Sequence, residues 1–297
     1  MKRSLIIFVV LALLLSGCGV NRNQAERPSA TPVTTVHTIT VDGATRSYIL
    51  TVPVGLVGKS PLVVMLHGGF GSGSQAERSY GWDELAASES FVVAYPDGMN
   101  KAWNIGGGCC GMPGRHAIDD VTFIEAMVAD IGKSVPLDDS RIYATGMSNG
   151  AMLAYRLACD SDLFAAVAPV SGTIVGDCAD PKPVSVIHIH GLADTSVRMD
   201  GAEGAGVAHI DGMPIADLNS FWRGVDDCLA PIVATDGDVS TSIATCAEGR
   251  TVELITIAGA GHQWPGSKPI REGADAPYPG LDATSTIWDF LVAHPKP

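Results

Sequence analysis

Six short, mostly apolar runs set the limits on what this chain can fold into. They are Pro61–Leu66, Phe91–Tyr95, Arg141–Thr145, Phe164–Val170, Val184–Ile189 and Thr251–Ile257. A strand buried on both faces reads as a continuous apolar run rather than as an alternation, and that burial arises in a parallel sheet covered by helices. Helical stretches fill the intervals. Residues 121, 124, 127, 128 and 131 are apolar at helical spacing within 119–133. Helices are also expected over 82–88, 149–158, 216–225 and 285–293. Upstream, residues 37–41 and 46–52 alternate apolar and polar about Asp42-Gly43, a hairpin signal. Strands alternating with helices predict an α/β fold, a mostly parallel sheet with helices on both faces. No internal repeat or second linker interrupts 37–297, which reads as one domain large enough to be stable on its own core.

The ends and the charge narrow the setting. Lys2 and Arg3 precede an apolar run, Leu5–Leu15, of the length of a secretion signal and too short to span a bilayer. The run ends in Leu15-Ser16-Gly17-Cys18, the pattern of a bacterial lipobox, which makes residues 1–17 a lipoprotein signal peptide and Cys18 the lipidated residue. Two or more acyl chains there would give a stable anchor. Residues 18–36 are polar, with Pro28 and Pro32, and read as a flexible tether. The expected location is therefore the bacterial cell envelope, with membrane contact through the lipid alone. A net charge of −13 argues against nucleic-acid binding, which needs basic surface to neutralise phosphates. Besides Cys18 there are six cysteines, an even number that suggests disulfides in an exported protein. Cys228 and Cys246 flank one short excursion and are expected to pair. Cys109, Cys110, Cys159 and Cys178 are left to pair among themselves in an order the spacing does not resolve. No metal-ligand spacing is present, and neither metal nor cofactor is expected.

The chemistry centres on Gly146-Met147-Ser148-Asn149-Gly150. This G-x-S-x-G lies between the strand at 141–145 and the helix opening at 149, the context of a nucleophile elbow. A serine hydroxyl is a weak nucleophile at neutral pH and needs a base, itself oriented by an acid. In this arrangement the chain order is Ser, acid, His. His262, in the glycine-rich turn Gly259-Ala-Gly-His-Gln-Trp264 after a late strand, is the candidate base. Asp194, in His190-Gly-Leu-Ala-Asp194 at the carboxyl end of the strand at 184–189, is the candidate acid. His67-Gly68-Gly69-Phe70 follows the earliest apolar strand. Its amides at Gly69 or Phe70, with that of Asn149, could face a developing oxyanion. His188 and His190 are expected to be buried in their strand, and Asp119-Asp120 to open a helix. Trp103 and Trp264 could line an aromatic cleft or pack in the core.

With these residues in view, the chain resembles the exported polyhydroxybutyrate depolymerase and feruloyl-esterase-like branch of the α/β-hydrolases. The strings that carry the resemblance are LHGGFGSG (66–73), YPDG (95–98), WNIGGGCCG (103–111), DDVTFIEAM (119–127), RIYATGMSNGAMLAYRLAC (141–159), FAAVAPVSG (164–172), PVSVIHIHGLADTSV (183–197) and GHQWPG (261–266). They span nearly all of 37–295. The resemblance implies Ser148 as nucleophile, Asp194 as acid, His262 as base, an oxyanion hole near Gly69, and disulfides involving Cys109 and Cys110. It implies an α/β-hydrolase fold with no large cap or appended domain. The sequence departs from the family at Thr122, often Gly, and at Thr195, often Pro. The expected activity is hydrolysis of small or oligomeric carboxylic esters: feruloyl or acetyl esters of polysaccharide, or hydroxyalkanoate oligomers. The alternatives are a peptidase of the same fold and a non-catalytic binding lipoprotein.

Overall fold

The computed structural model describes residues 31–270 and 272–297. The expected signal peptide, Cys18 and most of the tether lie outside the described residues. Ten strands form one sheet: β1 (Val33–Val41), β2 (Ala44–Val52), β3 (Ser60–Leu66), β4 (Val92–Pro96), β5 (Leu137–Met147), β6 (Ala166–Val170), β7 (Ser185–Gly191), β8 (Ile232–Asp236), β9 (Val239–Thr245) and β10 (Thr251–Ile257). Their spatial order is β1-β2-β4-β3-β5-β6-β7-β10-β9-β8. The six strands from β4 to β10 run parallel, and an antiparallel hairpin closes each side. β1 starts at Val33, four residues inside the stretch read as tether.

The helices are α1 (Gly73–Tyr80), α2 (Trp82–Glu89), α3 (Gly111–Arg115), α4 (Asp120–Ile131), α5 (Asn149–Asp160), α6 (Ile215–Val225) and α7 (Ala283–Ala293). They divide the core in two. Successive side chains of a strand point to opposite faces, so Leu62, Val64 and Leu66 of β3 pack with Phe123 of α4, Leu153 of α5 and Trp222 of α6. Val63 and Met65 pack on the other face with Trp82 of α2 and Trp288 of α7. The fully buried β3, β4, β6 and β7 are the runs that read as continuous apolar segments. The three disulfides are Cys109–Cys110, Cys159–Cys178 and Cys228–Cys246. The expected Cys228–Cys246 pair is thus formed, and it ties the end of α6 to the end of β9.

The start of α4 does more than the expected helix opening. Asp119 is the N-cap, its carboxylate accepting from the Thr122 amide at 2.9 Å. Asp120 is buried and takes a different role. Its Oδ1 accepts from Arg46 Nη2 at 2.7 Å and its Oδ2 from the Asn104 amide at 2.7 Å. The Arg46 guanidinium also lies 3.7 Å over the Phe123 ring. One carboxylate thus joins β2, α4 and the loop that carries Trp103. Removing one partner of a buried ion pair strands the other, so Arg46→Met should cost about 3–5 kcal/mol. The measurement is urea unfolding, with the midpoint lowered and the slope unchanged.

Candidate active site

Every group of the candidate site stands at the carboxyl end of a parallel strand, where ligands bind in open α/β sheets. Ser148 follows β5 directly and begins α5, with φ 56° and ψ −118°, a conformation in which a non-glycine residue is strained. The turn is too tight for neighbouring side chains. A Cβ at Gly146 would lie 2.5 Å from the Gly150 carbonyl carbon and 2.8 Å from the Leu66 oxygen, and one at Gly150 would be closer still to Leu66. The two glycines therefore let the elbow press against the end of β3. The Ser148 amide donates to the Val170 carbonyl at 2.9 Å, which fixes the turn to β6.

His262 lies in the turn after β10 and reaches both partners. Its Nδ1 is 2.7 Å from Asp194 Oδ2 and its Nε2 is 2.8 Å from Ser148 Oγ. A carboxylate only accepts, so Nδ1 carries the proton, Nε2 of the neutral ring is an acceptor, and the Ser148 hydroxyl donates to it. Asp194, in the loop after β7, is buried. Its Oδ1 accepts from the amides of Ser196 and Val197, both at 2.8 Å. Burial pushes the Asp194 carboxyl up, but the hydrogen bond to His262, the electrostatic influence of His262 and His190 and the Val197 amide outweigh it. The group is held below its ordinary value and stays ionised. The predicted Ser148, Asp194 and His262 are thus brought together from sites 114 residues apart along the chain.

The expected oxyanion donors divide. The Asn149 amide belongs to the first turn of α5, where no intrahelical acceptor exists. Gly69 lies beside Asn149: a Cβ there would sit 3.9 Å from the Asn149 Cβ. The Phe70 amide is committed elsewhere, donating to the Lys101 carbonyl at 2.8 Å, and drops out of the expected set. Its ring is exposed instead.

Neither tryptophan lines a cleft. Trp103 is wholly buried, its indole N–H donating to the His67 carbonyl at 2.8 Å. Its amide donates to Asn149 Oδ1 at 2.7 Å, and its carbonyl accepts from Asn149 Nδ2 at 3.2 Å. Trp103 therefore clamps the Gly69 loop to the elbow. Trp264 is buried in the second core, stacked on Tyr80, with its indole N–H on Thr284 Oγ1 at 3.0 Å. The indoles are consumed by packing and by the hydrogen bonds that packing demands. Sequence reasoning missed Asp275, whose Oδ2 accepts from the His262 amide at 2.6 Å and rests against Gly261. It also missed the clamping role of the Asn149 side chain. A loop carboxylate and an asparagine beside a serine carry no spacing signal.

A profile of the family described as "Esterase PHB depolymerase" matches residues 46–243, more than half of the chain. This chain belongs to that family. It is a carboxylic ester hydrolase. It is 32% identical to "Putative esterase NocK" of Nocardia uniformis subsp. tsuyamanensis, across 90% of this chain and 85% of that one. It is 31% identical to "Probable feruloyl esterase C" of Aspergillus oryzae, across 99% of this chain and all of that one. The structure of an acetyl xylan esterase from Aspergillus awamori superposes with a TM-score of 0.63 at 17% identity, covering 87% of this chain and 99% of that one. That likeness is one of fold, and the fold of this esterase is the α/β-hydrolase fold.

Asn149→Leu should empty the clamp while leaving the Asn149 amide in place. Two buried backbone groups of Trp103 would lose their partners, for a loss of about 2–4 kcal/mol. Chemical denaturation reads the loss. Esterase rates at saturating substrate should fall in parallel as the Gly69 loop loosens.

Proposed function

We propose that this esterase is an exported serine hydrolase working through an acyl-enzyme on Ser148. The observation that carries the reading is the unbroken relay Asp194 Oδ2–His262 Nδ1–His262 Nε2–Ser148 Oγ, with links of 2.7 and 2.8 Å. In the proposed reaction Ser148 Oγ attacks the ester carbonyl carbon as its proton passes to His262 Nε2. The carbonyl oxygen becomes an oxyanion facing the amides of Gly69 and Asn149. The tetrahedral adduct collapses, the ester C–O bond breaks, and His262 returns the proton to the departing alcohol oxygen. Water, deprotonated by the same imidazole, then attacks the acyl-serine; the acyl–Oγ bond breaks, His262 returns the proton to Ser148 Oγ, and the acid is released. Asp194 keeps Nδ1 protonated and stabilises the imidazolium between transfers.

The substrate class comes from the relatives. Names of matching proteins include feruloyl esterases and an acetylxylan esterase fused to a xylanase. We therefore favour feruloyl or acetyl esters of polysaccharide, with hydroxyalkanoate oligomers as the second class. Three disulfides are in keeping with an oxidising, extracytoplasmic setting. The lipobox ending at Cys18 supports attachment to the cell envelope.

The test is a panel of p-nitrophenyl acetate and butyrate, methyl ferulate, acetylated xylan and a 3-hydroxybutyrate oligomer. Ser148→Ala runs beside the parent chain. The expected result is Ser148-dependent hydrolysis, fastest on ferulate or acetyl-xylan. Hydrolysis of none of them above the Ser148→Ala background would favour a binding lipoprotein instead. Asp194→Asn keeps the shape of the acid but favours the wrong histidine tautomer, so kcat should drop by about 10³–10⁴. Stopped assays at matched fluorophosphonate-titrated sites measure it.

A further inference from the structure

A line of buried polar side chains leads away from Asp194 beneath the sheet. His190 Nε2 is 2.8 Å from the Val197 carbonyl oxygen and 3.6 Å from Asp194 Oδ2. His190 Nδ1 is 2.8 Å from His188 Nε2, and His188 Nδ1 is 2.6 Å from the Tyr155 hydroxyl. The two imidazoles stack at 5.1 Å and nearly parallel. All three side chains are buried, between β7 and α5.

The direction of this chain is forced from one end. A carbonyl oxygen can only accept, so His190 Nε2 carries a hydrogen. In a neutral ring Nδ1 is then the acceptor, and His188 Nε2 must donate to it. By the same rule His188 Nδ1 accepts, and Tyr155 O–H donates. Every site on both rings is used once, and every bond points toward Asp194. Protonating His190 would require the whole chain to reverse. Tyr155 would then accept from His188, and its own hydrogen would face no other acceptor among the described residues. Burial holds His188 far below, and His190 below, the ordinary histidine range, the nearby Asp194 charge notwithstanding. The titratable groups facing His190 are His188 on its own strand, Asp194 in the following loop and His262 after β10, with Tyr155 of α5 one link further.

The consequence falls on the acid of the triad. The Val197 carbonyl that His190 holds belongs to the same residue whose amide donates to Asp194 Oδ1. His190 Nε2 also lies 3.6 Å from Oδ2, the oxygen shared with His262. We propose that His190, kept neutral as its Nε2–H tautomer by Tyr155 and His188, is a positioning residue that fixes the Asp194–Val197 loop and aims Asp194 at His262. It offers the carboxylate a dipole without cancelling the charge that His262 needs. The proposal rests on the reading of Ser148, His262 and Asp194 as the working triad.

The experiment measures kcat, KM and the pH profile of kcat/KM on p-nitrophenyl acetate, per site titrated with a fluorophosphonate. His190→Leu removes the N–H, whereas His190→Gln returns an amide N–H near the place of Nε2. Without the N–H dipole 3.6 Å away, Oδ2 attracts the protonated imidazole more strongly. The acidic limb should therefore move to higher pH. The expected result for His190→Leu is a 10- to 100-fold lower kcat, a KM within threefold and that upward shift, with His190→Gln recovering most of both. If His190→Leu does not fold, Tyr155→Phe carries the test. Freeing the chain to reverse lets His190 charge, and a positive charge beside Asp194 opposes the His262 imidazolium, so its acidic limb should move to lower pH, with kcat near neutrality within threefold. A titrated-site kcat within twofold of the parent and an unmoved limb, even with a lower melting point, would overturn the proposal and leave these residues structural. A parent chain that no fluorophosphonate labels, or Ser148→Ala as active as the parent, would overturn the triad reading and this proposal with it.

Discussion

The close approach of two backbones governs the rest of this structure. The elbow that carries Ser148 lies against the carbonyls of Leu66 and His67, and only glycine at 146 and 150 leaves room for it. That contact sets the pairing of β3 with β5, in which Leu66 stands opposite Gly146. It also puts the loop after β3 within reach of the loop before α5. Gly69 can then lie beside Asn149, and Trp103 can be held by the Asn149 side chain on one side and the His67 carbonyl on the other. A larger residue at either glycine would displace Ser148 and its neighbouring amides together, because one packing constraint places them both.

A second pattern is the use of carboxylates as fasteners at the carboxyl end of the sheet. Asp120 joins Arg46 to the Asn104 amide, Asp97 accepts from the Gly73 amide and from Ser47, and Asp275 holds the His262 amide. Asp120 and Asp97 tie irregular segments to regular ones, and Asp275 ties one loop to another. A loop bonded in this way keeps its geometry without needing a strand partner. That is how segments lacking repetitive structure can position groups to within a hydrogen bond's tolerance.

Much of this was legible beforehand, for physical reasons. Strands buried on both faces have no choice but to be largely apolar, so β3, β4, β6 and β7 could be read directly. The Ser148 elbow, Asp194 and His262 could be read because a strand, a glycine-rich turn and a fixed chain order accompany each of them. The β8–β9 hairpin went unread although Asp236-Gly237 marks its turn. Its β8 face is exposed throughout and offers no apolar run. Trp103, Trp264 and the Phe70 amide show the reverse limit. Whether an aromatic lines a cleft or an amide stays free depends on which acceptor lies nearby in space. Lys101 and His67 are those acceptors, and neither advertises the fact along the chain. The His188–His190 line has the same character, since its third member, Tyr155, comes from a helix.

The candidate site draws on the ends of β3, β5, β7 and β10, with the last of its groups contributed 114 residues after Ser148. No stretch shorter than the one from Ser148 to His262 holds this hydroxyl, base and acid together. Reactivity is therefore a property of the closed sheet alone. An unfolded polypeptide of this sequence lacks that contact, and the candidate site comes into being at the moment β10 docks on β7.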